Sequence, residues 1–292
     1  MGKLKKSLHI FEGFMRAVFT ACGLVAVVFV CFITAYLIIA GVPAIGEIGI
    51  KEFLFGDVWA STAAEPRFGI LPFILTSVYG TLGAVLIGVP IGLMCAVFLA
   101  KMAPKRVAAL LRHAVELLSG IPSVVYGLIG MILLVPAVRE FFGLPDGANL
   151  LSAILVLAVM ILPSIISVSE TAIKAVPREY EEASLALGAT KTETVFKVIL
   201  PAAKSGIAAA VVLGIGRAIG EAMAVMMVAG NVANMPGLFK SVRFLTTAVA
   251  SEMSYSAGLQ RQALFSIALV LFVFIMIINL LLNFVIKREK SE

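Results

Sequence analysis

The chain has little charge to spare. Asp, Glu, Lys and Arg make up 14% of its 292 residues, against 61% hydrophobic residues. A soluble domain of this length needs a far more polar exterior, so a soluble class is excluded. Metal ligands are scarce too. The two histidines, His9 and His113, stand far apart with no Cys or acidic cluster at ligand spacing. The three cysteines, Cys22, Cys31 and Cys95, all fall inside apolar runs and read as small packing residues. No G-x4-G-K-[ST] pattern occurs, and Gly188-Ala-Thr-Lys-Thr lacks its spacing, so the chain has no visible phosphate cradle for ATP. With neither histidine in a suitable setting, no acid–base or nucleophile set for a membrane-embedded enzyme stands out.

What the chain has in abundance is long apolar runs. Mean hydropathy is +1.08, and the runs reach the roughly 20 residues that cross about 30 Å of hydrocarbon as a helix. The pattern predicts an all-α membrane protein with six spans near 17–40, 69–100, 117–138, 149–170, 205–229 and 263–286. These form one membrane domain over 17–286, between a short N-terminal segment (1–16) and a tail (287–292). The first run is too long for the core of a signal peptide and reads as a retained span. Pro90 and Pro163 fall inside the second and fourth spans and Pro122 near the start of the third; all three read as kinks, not boundaries.

The net charge of +6 does not point to nucleic acid, because the charges lie between and beside the apolar runs. Their distribution gives a direction. Sixteen of the 23 basic residues lie in the N-terminal segment, 101–116, 171–204 and the tail; six lie in 41–68, 139–148 and 230–262; Arg217 falls within the fifth span. The positive-inside rule then puts both termini in the cytoplasm. In 41–68, Phe53, Phe55 and Trp59 among acidic residues suggest a short helix at the membrane interface.

The loop before the fifth span carries the densest local signals. Pro177 suits a first helical turn, with Glu179, Glu181 and Glu182 near its positive end. Ala183, Ala186 and Leu187 make a small apolar face, Gly188 suits the C-terminal cap, and Thr190 with Glu193 has capping-box spacing. The prediction is helix, sharp turn, helix; a helix lying on the membrane surface shares that signature. Inside the fifth span, Arg217 and Glu221 stand four residues apart. They are expected to share a face and neutralise each other, with Gly216 and Gly220 allowing a neighbouring helix to approach. Ions in a span mark a pathway more often than a lock.

Two motifs add a resemblance. Glu182-Ala183-Ser184-x3-Gly188, nine residues, then Val198-Ile199-Leu200-Pro201 resembles the E-A-A-x3-G-x9-I-x-L-P loop of ATP-binding-cassette (ABC) importer permeases, with Ser184 and Val198 as mild departures. Phe68-Gly-Ile-Leu-Pro-Phe73, Leu118-Ser-Gly-Ile-Pro-Ser-Val-Val-Tyr-Gly127 and Gly216-Arg-Ala-Ile-Gly-Glu-Ala-Met-Ala-Val225 resemble C-type permease subunits of phosphate-specific importers. Ala222 stands where Thr is common.

The resemblance implies a type I importer permease fold and a pathway for phosphate or a related oxyanion such as sulfate, molybdate or phosphonate. It implies that Glu182, Ala183, Ser184, Gly188 and Pro201 couple to an ATPase and that Arg217 and Glu221 line the pathway. The implied partners are a homologous A-type permease, two ATPase subunits holding ATP and Mg, and an extracytoplasmic binding protein. No cofactor is expected on this chain. An ion-coupled secondary transporter is the competing class; it needs no coupling loop.

Overall fold

The computed structural model describes the backbone of residues 2–289 and the side chains of residues 12–281. The last three residues of the expected tail, and the side chains of Lys3, Lys5, Lys6 and His9, lie outside these. Helix α1 covers Gly2–Ile48 and α2 Ile50–Phe55, followed by a two-stranded hairpin, β1 (Trp59–Ala60) and β2 (Arg67–Phe68). Next come α3 (Leu71–Val97), α4 (Lys105–Gly120), α5 (Ser123–Ile129), α6 (Val135–Phe142) and α7 (Leu150–Lys174). The second half holds α8 (Arg178–Ala186), α9 (Lys191–Thr194), α10 (Leu200–Ala202), α11 (Lys204–Gly220), α12 (Met223–Val228), α13 (Leu245–Glu252) and α14 (Gly258–Glu289). Three π turns, at Phe98–Met102, Gly130–Leu134 and Val195–Ile199, interrupt or extend these helices.

Among the described residues, five stretches are long and apolar enough to cross a membrane: 12–48, 71–102, 123–142, 150–174 and 258–281. A sixth comes from Lys191–Ala202 and Lys204–Gly220, which meet at a bend of 70°. The expected six therefore form, with two changed boundaries. The third span starts at Ser123, not at 117, because Pro122 is a boundary and not a kink: Ile121 and Pro122 are both extended (ψ 127° and 142°). Proline disfavours helix at the residue before it, and Gly120 offers no resistance. The residues before the break form α4, an amphipathic helix that lays Ala108 and Val115 against Leu99, Leu162 and Ile166. The fifth span is likewise broken, at Glu221–Ala222, into α11 and α12. Pro90 and Pro163 stay within continuous helices, as expected. Helix α1 runs through the expected boundary at residue 16, and α14 runs through the one at 287.

The centre of the molecule is α7, packed between α3 and α11. On α3, a Cβ added at Gly83, Gly88 or Gly92 would come within 2.6, 2.7 or 2.8 Å of Ile154, Ile161 or Ile165. The missing side chains let α7 seat its isoleucines against the α3 backbone, close packing of the kind that holds membrane helices together. Helix α1 instead packs on α14, where the Ser266 hydroxyl donates to the Gly41 carbonyl at 2.6 Å. Most of α1 is exposed, including Cys22 and Cys31. Cys95 is exposed as well, so all three cysteines face outward and do not pack within this chain.

In the outer region the expected short helix forms as α2, and Trp59, beyond it in β1, is 8% exposed. It packs with Phe53, Phe68, Phe73, Leu245 and Leu264, and its indole N–H donates to the Glu252 carboxylate at 3.2 Å. Glu252 also accepts from Arg243, Ser61 and Gln260. Nearby, Leu150 and Leu151 donate their N–H groups to Lys240 and Leu238, which caps the start of α7 with the irregular 230–244 segment. The outer segments 41–68, 139–148 and 230–262 are thus joined to one another, through Trp59–Glu252 and through the Ser241 hydroxyl on Ala148 O at 2.7 Å.

Candidate functional site

The first candidate element is the loop between α7 and α11. Pro177 is extended and forms the N-cap of α8, one place before the first turn. At the other end Gly188 has φ +86°, in the left-handed region that suits glycine. Its N–H donates to Leu185 O at 3.0 Å, and that of Ala189 to Ser184 O at 3.2 Å. Together these bonds make a Schellman motif, which satisfies the last carbonyls of the helix. The Thr190–Glu193 capping box is fully formed.

The two short helices are tied together by a buried hydrogen bond of 2.9 Å between the hydroxyls of Ser184 and Thr194. Ser184, a departure from the family pattern, therefore makes a contact that alanine cannot. Pro201 lies in the first turn of α10, just before the bend into α11. Glu182, Ala183, Ala186, Leu187 and Gly188 are all exposed, and Leu187 is 90% so. A folded helix that offers alanines and a leucine to solvent has an apolar face without a partner in this chain.

The second element is the broken fifth span. Helix α11 ends at Gly220, and Glu221 is extended (ψ 130°). Arg217 and Glu221 therefore do not share a helical face, and among the described residues Arg217 has no carboxylate at ion-pair distance. The Glu221 carboxylate accepts from the Ala224 N–H at 3.0 Å, capping α12, and its carbonyl accepts from the Thr246 hydroxyl at 2.7 Å. The unpaired N–H groups at the start of the new helix lie within reach of the Glu221 carboxylate, while the broken turn carries it away from Arg217. The expected close approach at Gly216 and Gly220 is absent too; nothing described comes within 4 Å of a Cβ placed there.

Arg217 instead donates to the Ser164 hydroxyl on α7 at 3.2 Å. It lines an open groove of about 540 Å³ with Ser164, Val212, Leu213, Gly216 and Asn279. Three spans thus bring one cation and two neutral polar groups to one opening. An unpaired arginine in a span costs about 2.5–3.5 kcal/mol on insertion scales, a cost that an anion in the groove would offset. The Tyr126 hydroxyl of the third span is already committed, donating to Leu118 O at 2.7 Å across the Pro122 break.

Comparison with known proteins gives this geometry a context. Residues 88–291 match the family model described as the inner membrane component of binding-protein-dependent transport systems. The chain belongs to that family. It is 39% identical over 280 residues to the probable ABC transporter permease protein YqgH of Bacillus subtilis (strain 168), covering 94% of this chain and 91% of that one. It is 34% identical over 262 residues to the phosphate transport system permease protein PstC of Pasteurella multocida (strain Pm70), covering 82% and 81%. Among solved structures, an inward-facing form of the MetNI methionine ABC transporter aligns with a TM-score of 0.59 at 21% identity, over 75% of this chain and 95% of that one. At that identity the likeness speaks for the fold, which is that of an ABC-importer permease.

As a family member the permease works beside an ATPase and a binding protein, and both candidate elements lie within the matched region. Reading the sequence alone misses Ser164 and Asn279, since a lone serine or asparagine in a span carries no spacing signal. It also misses Arg112–Glu170–Lys174, where both cations reach the Glu170 carboxylate at 2.6 Å and tie α4 to α7. The signal for that cluster was available: Glu170 and Lys174 stand at i and i+4 at the end of a span.

Proposed function

We propose that this chain is one of two permease subunits of an ATP-driven importer and forms half of a membrane pathway for inorganic phosphate. The observation that carries the reading is the Arg217 groove, together with relatives named as phosphate permeases over most of the chain. A guanidinium fork suits the oxygens of an oxyanion, and the Ser164 hydroxyl and Asn279 amide add neutral donors. With Glu221 engaged as a helix cap, no carboxylate among the described residues lies at ion-pair distance from Arg217.

The open faces of Gly216 and Gly220 suit a homologous A-type permease that would complete the pathway. Both termini are assigned to the cytoplasm from the sixteen-to-six excess of basic residues. The exposed face of α8, with Glu182, Ala183 and Gly188, is then the seat for an ATPase subunit that holds ATP and Mg. The test is reconstitution with the second permease, the ATPase and the binding protein. ATP-dependent uptake of labelled phosphate over sulfate is expected. A preference for sulfate would reassign the substrate, and uptake without ATP would overturn the reading.

A further inference from the structure

Helix α8 borders an open cavity of about 690 Å³ lined by Ala100, Lys101, Lys174, Val176, Glu181 and Glu182, among others. Its covalent link to α7 is the short non-helical stretch 175–177, in which Val176 packs against the cluster around Ile173. At the C-terminal end of α8, the Ser184–Thr194 bond holds it to α9. At the N-terminal end one ion pair reaches the membrane helices: Lys101 Nζ to Glu181 Oε2, 2.6 Å across 80 residues of sequence. Among the described residues it is the one side-chain hydrogen bond or ion pair from α8 to the second span; the other, Ser184–Thr194, ties α8 to α9.

Lys101 lies in the π turn that ends the second span, where the Ala103 N–H reaches back to Phe98 O at 2.7 Å. The extra residue in such a turn changes the direction in which the next side chains leave the helix, and π turns are frequent at functional positions. The same end of α3 carries Ala96 and Val97, which pack with Ile173, Val195, Ile199 and Ala203. The ground around that link is therefore firm on the α3 and α7 sides, and α8 meets it through the π turn Val195–Ile199.

We infer that the Lys101–Glu181 ion pair is a clamp that ties α8 to the second span, so that force applied to α8 moves the spans and is not lost in bending at 175–177. Lys101 lies outside the coupling-loop pattern, and this adds a positioning residue on the second span. The inference rests on reading 178–201 as the seat of the ATPase. The pair is part-buried, with side chains 18% and 36% exposed. An ion pair in that setting biases an equilibrium by about two- to fivefold, enough to matter for coupling while leaving the fold intact.

The test uses the complete importer in vesicles with Lys101→Gln, Glu181→Gln and the exchanged pair Lys101→Glu with Glu181→Lys. Each single change is expected to lower phosphate taken up per ATP hydrolysed by about two- to fivefold while hydrolysis continues, and the exchange to restore the ratio. Unchanged ratios in the single variants, or no restoration by the exchange, would overturn the clamp. Hydrogen exchange over 175–187 in the same proteins reads the clamp without transport. Faster exchange is expected in both single variants and not in the exchanged pair, and equal exchange in all forms would overturn the inference. If the unaltered complex shows no ATP-dependent uptake, the permease reading fails, and the clamp stands or falls on exchange alone.

Discussion

The coupling loop and the fifth span follow one another in the chain, yet they differ in how far each satisfies its own polar groups. From Pro177 to Pro201 nearly every local need is met inside the loop: a Schellman turn at Gly188, a capping box at Thr190, and a buried hydroxyl pair between Ser184 and Thr194. What it leaves unmet is apolar, the exposed face around Leu187. The fifth span is the reverse. Its apolar surface sits in a membrane, while Arg217 faces an open groove, hydrogen-bonded among the described residues to the Ser164 hydroxyl alone. On the proposed reading, one element lacks a protein surface and the other lacks an anion. The contrast suggests a lever preformed for its driver beside a passage preformed for its cargo.

The strongest way to break that contrast is at Arg217. Arg217→Ala removes the groove's charge and is expected to cut uptake about ten- to a hundredfold, the scale of a lost hydrogen bond to a charged group, while leaving ATPase attachment intact. Uptake equal to that of the unaltered chain, in a normally assembled complex, would take the anion out of the fifth span. Next is Gly188→Val, which forces a β-branched residue to φ +86°. It should leave ATP hydrolysis running while uptake per ATP falls several-fold, and equal coupling would count against the loop as the lever.

A smaller effect separates a capping role for Glu221 from an ionic one. Glu221→Ala should lower stability by about 1 kcal/mol, as the loss of a helix cap does, and Glu221→Gln by less, because an amide oxygen still accepts from the Ala224 N–H. Combined with Arg217→Ala, the stability losses should add within about 0.5 kcal/mol; a strong coupling would restore the ion pair. Smallest of all is the Ser184–Thr194 contact. Ser184→Ala leaves the Thr194 hydroxyl buried without a partner and should cost about 1 kcal/mol, whereas Ser184→Ala with Thr194→Val should be close to neutral in thermal melts.

Much of this was legible before the structure. The six spans follow from hydropathy, and the loop's turn follows from Gly188, Thr190 and Glu193, because caps depend on residues a few places apart. The errors share a cause as well. Periodicity carries a helix through Glu221, but the break there depends on a carboxylate choosing the Ala224 N–H and on Thr246, 25 residues away, taking the Glu221 carbonyl. Composition places Trp59 in the outer segment but not its partner Glu252, 193 residues further on. Pro122 could be read as a kink or an end, and the choice fell to the extended Ile121 beside Gly120. The site residues that escaped notice, Ser164 and Asn279, gain meaning only from the spans they share with Arg217.

The most direct test of the central claim is labelled phosphate uptake into vesicles that hold the complete importer, with and without internal ATP, for the unaltered chain and for Arg217→Ala. The account predicts uptake that requires ATP and collapses with the arginine. Uptake that persists without ATP, or that is undiminished in Arg217→Ala, would contradict it.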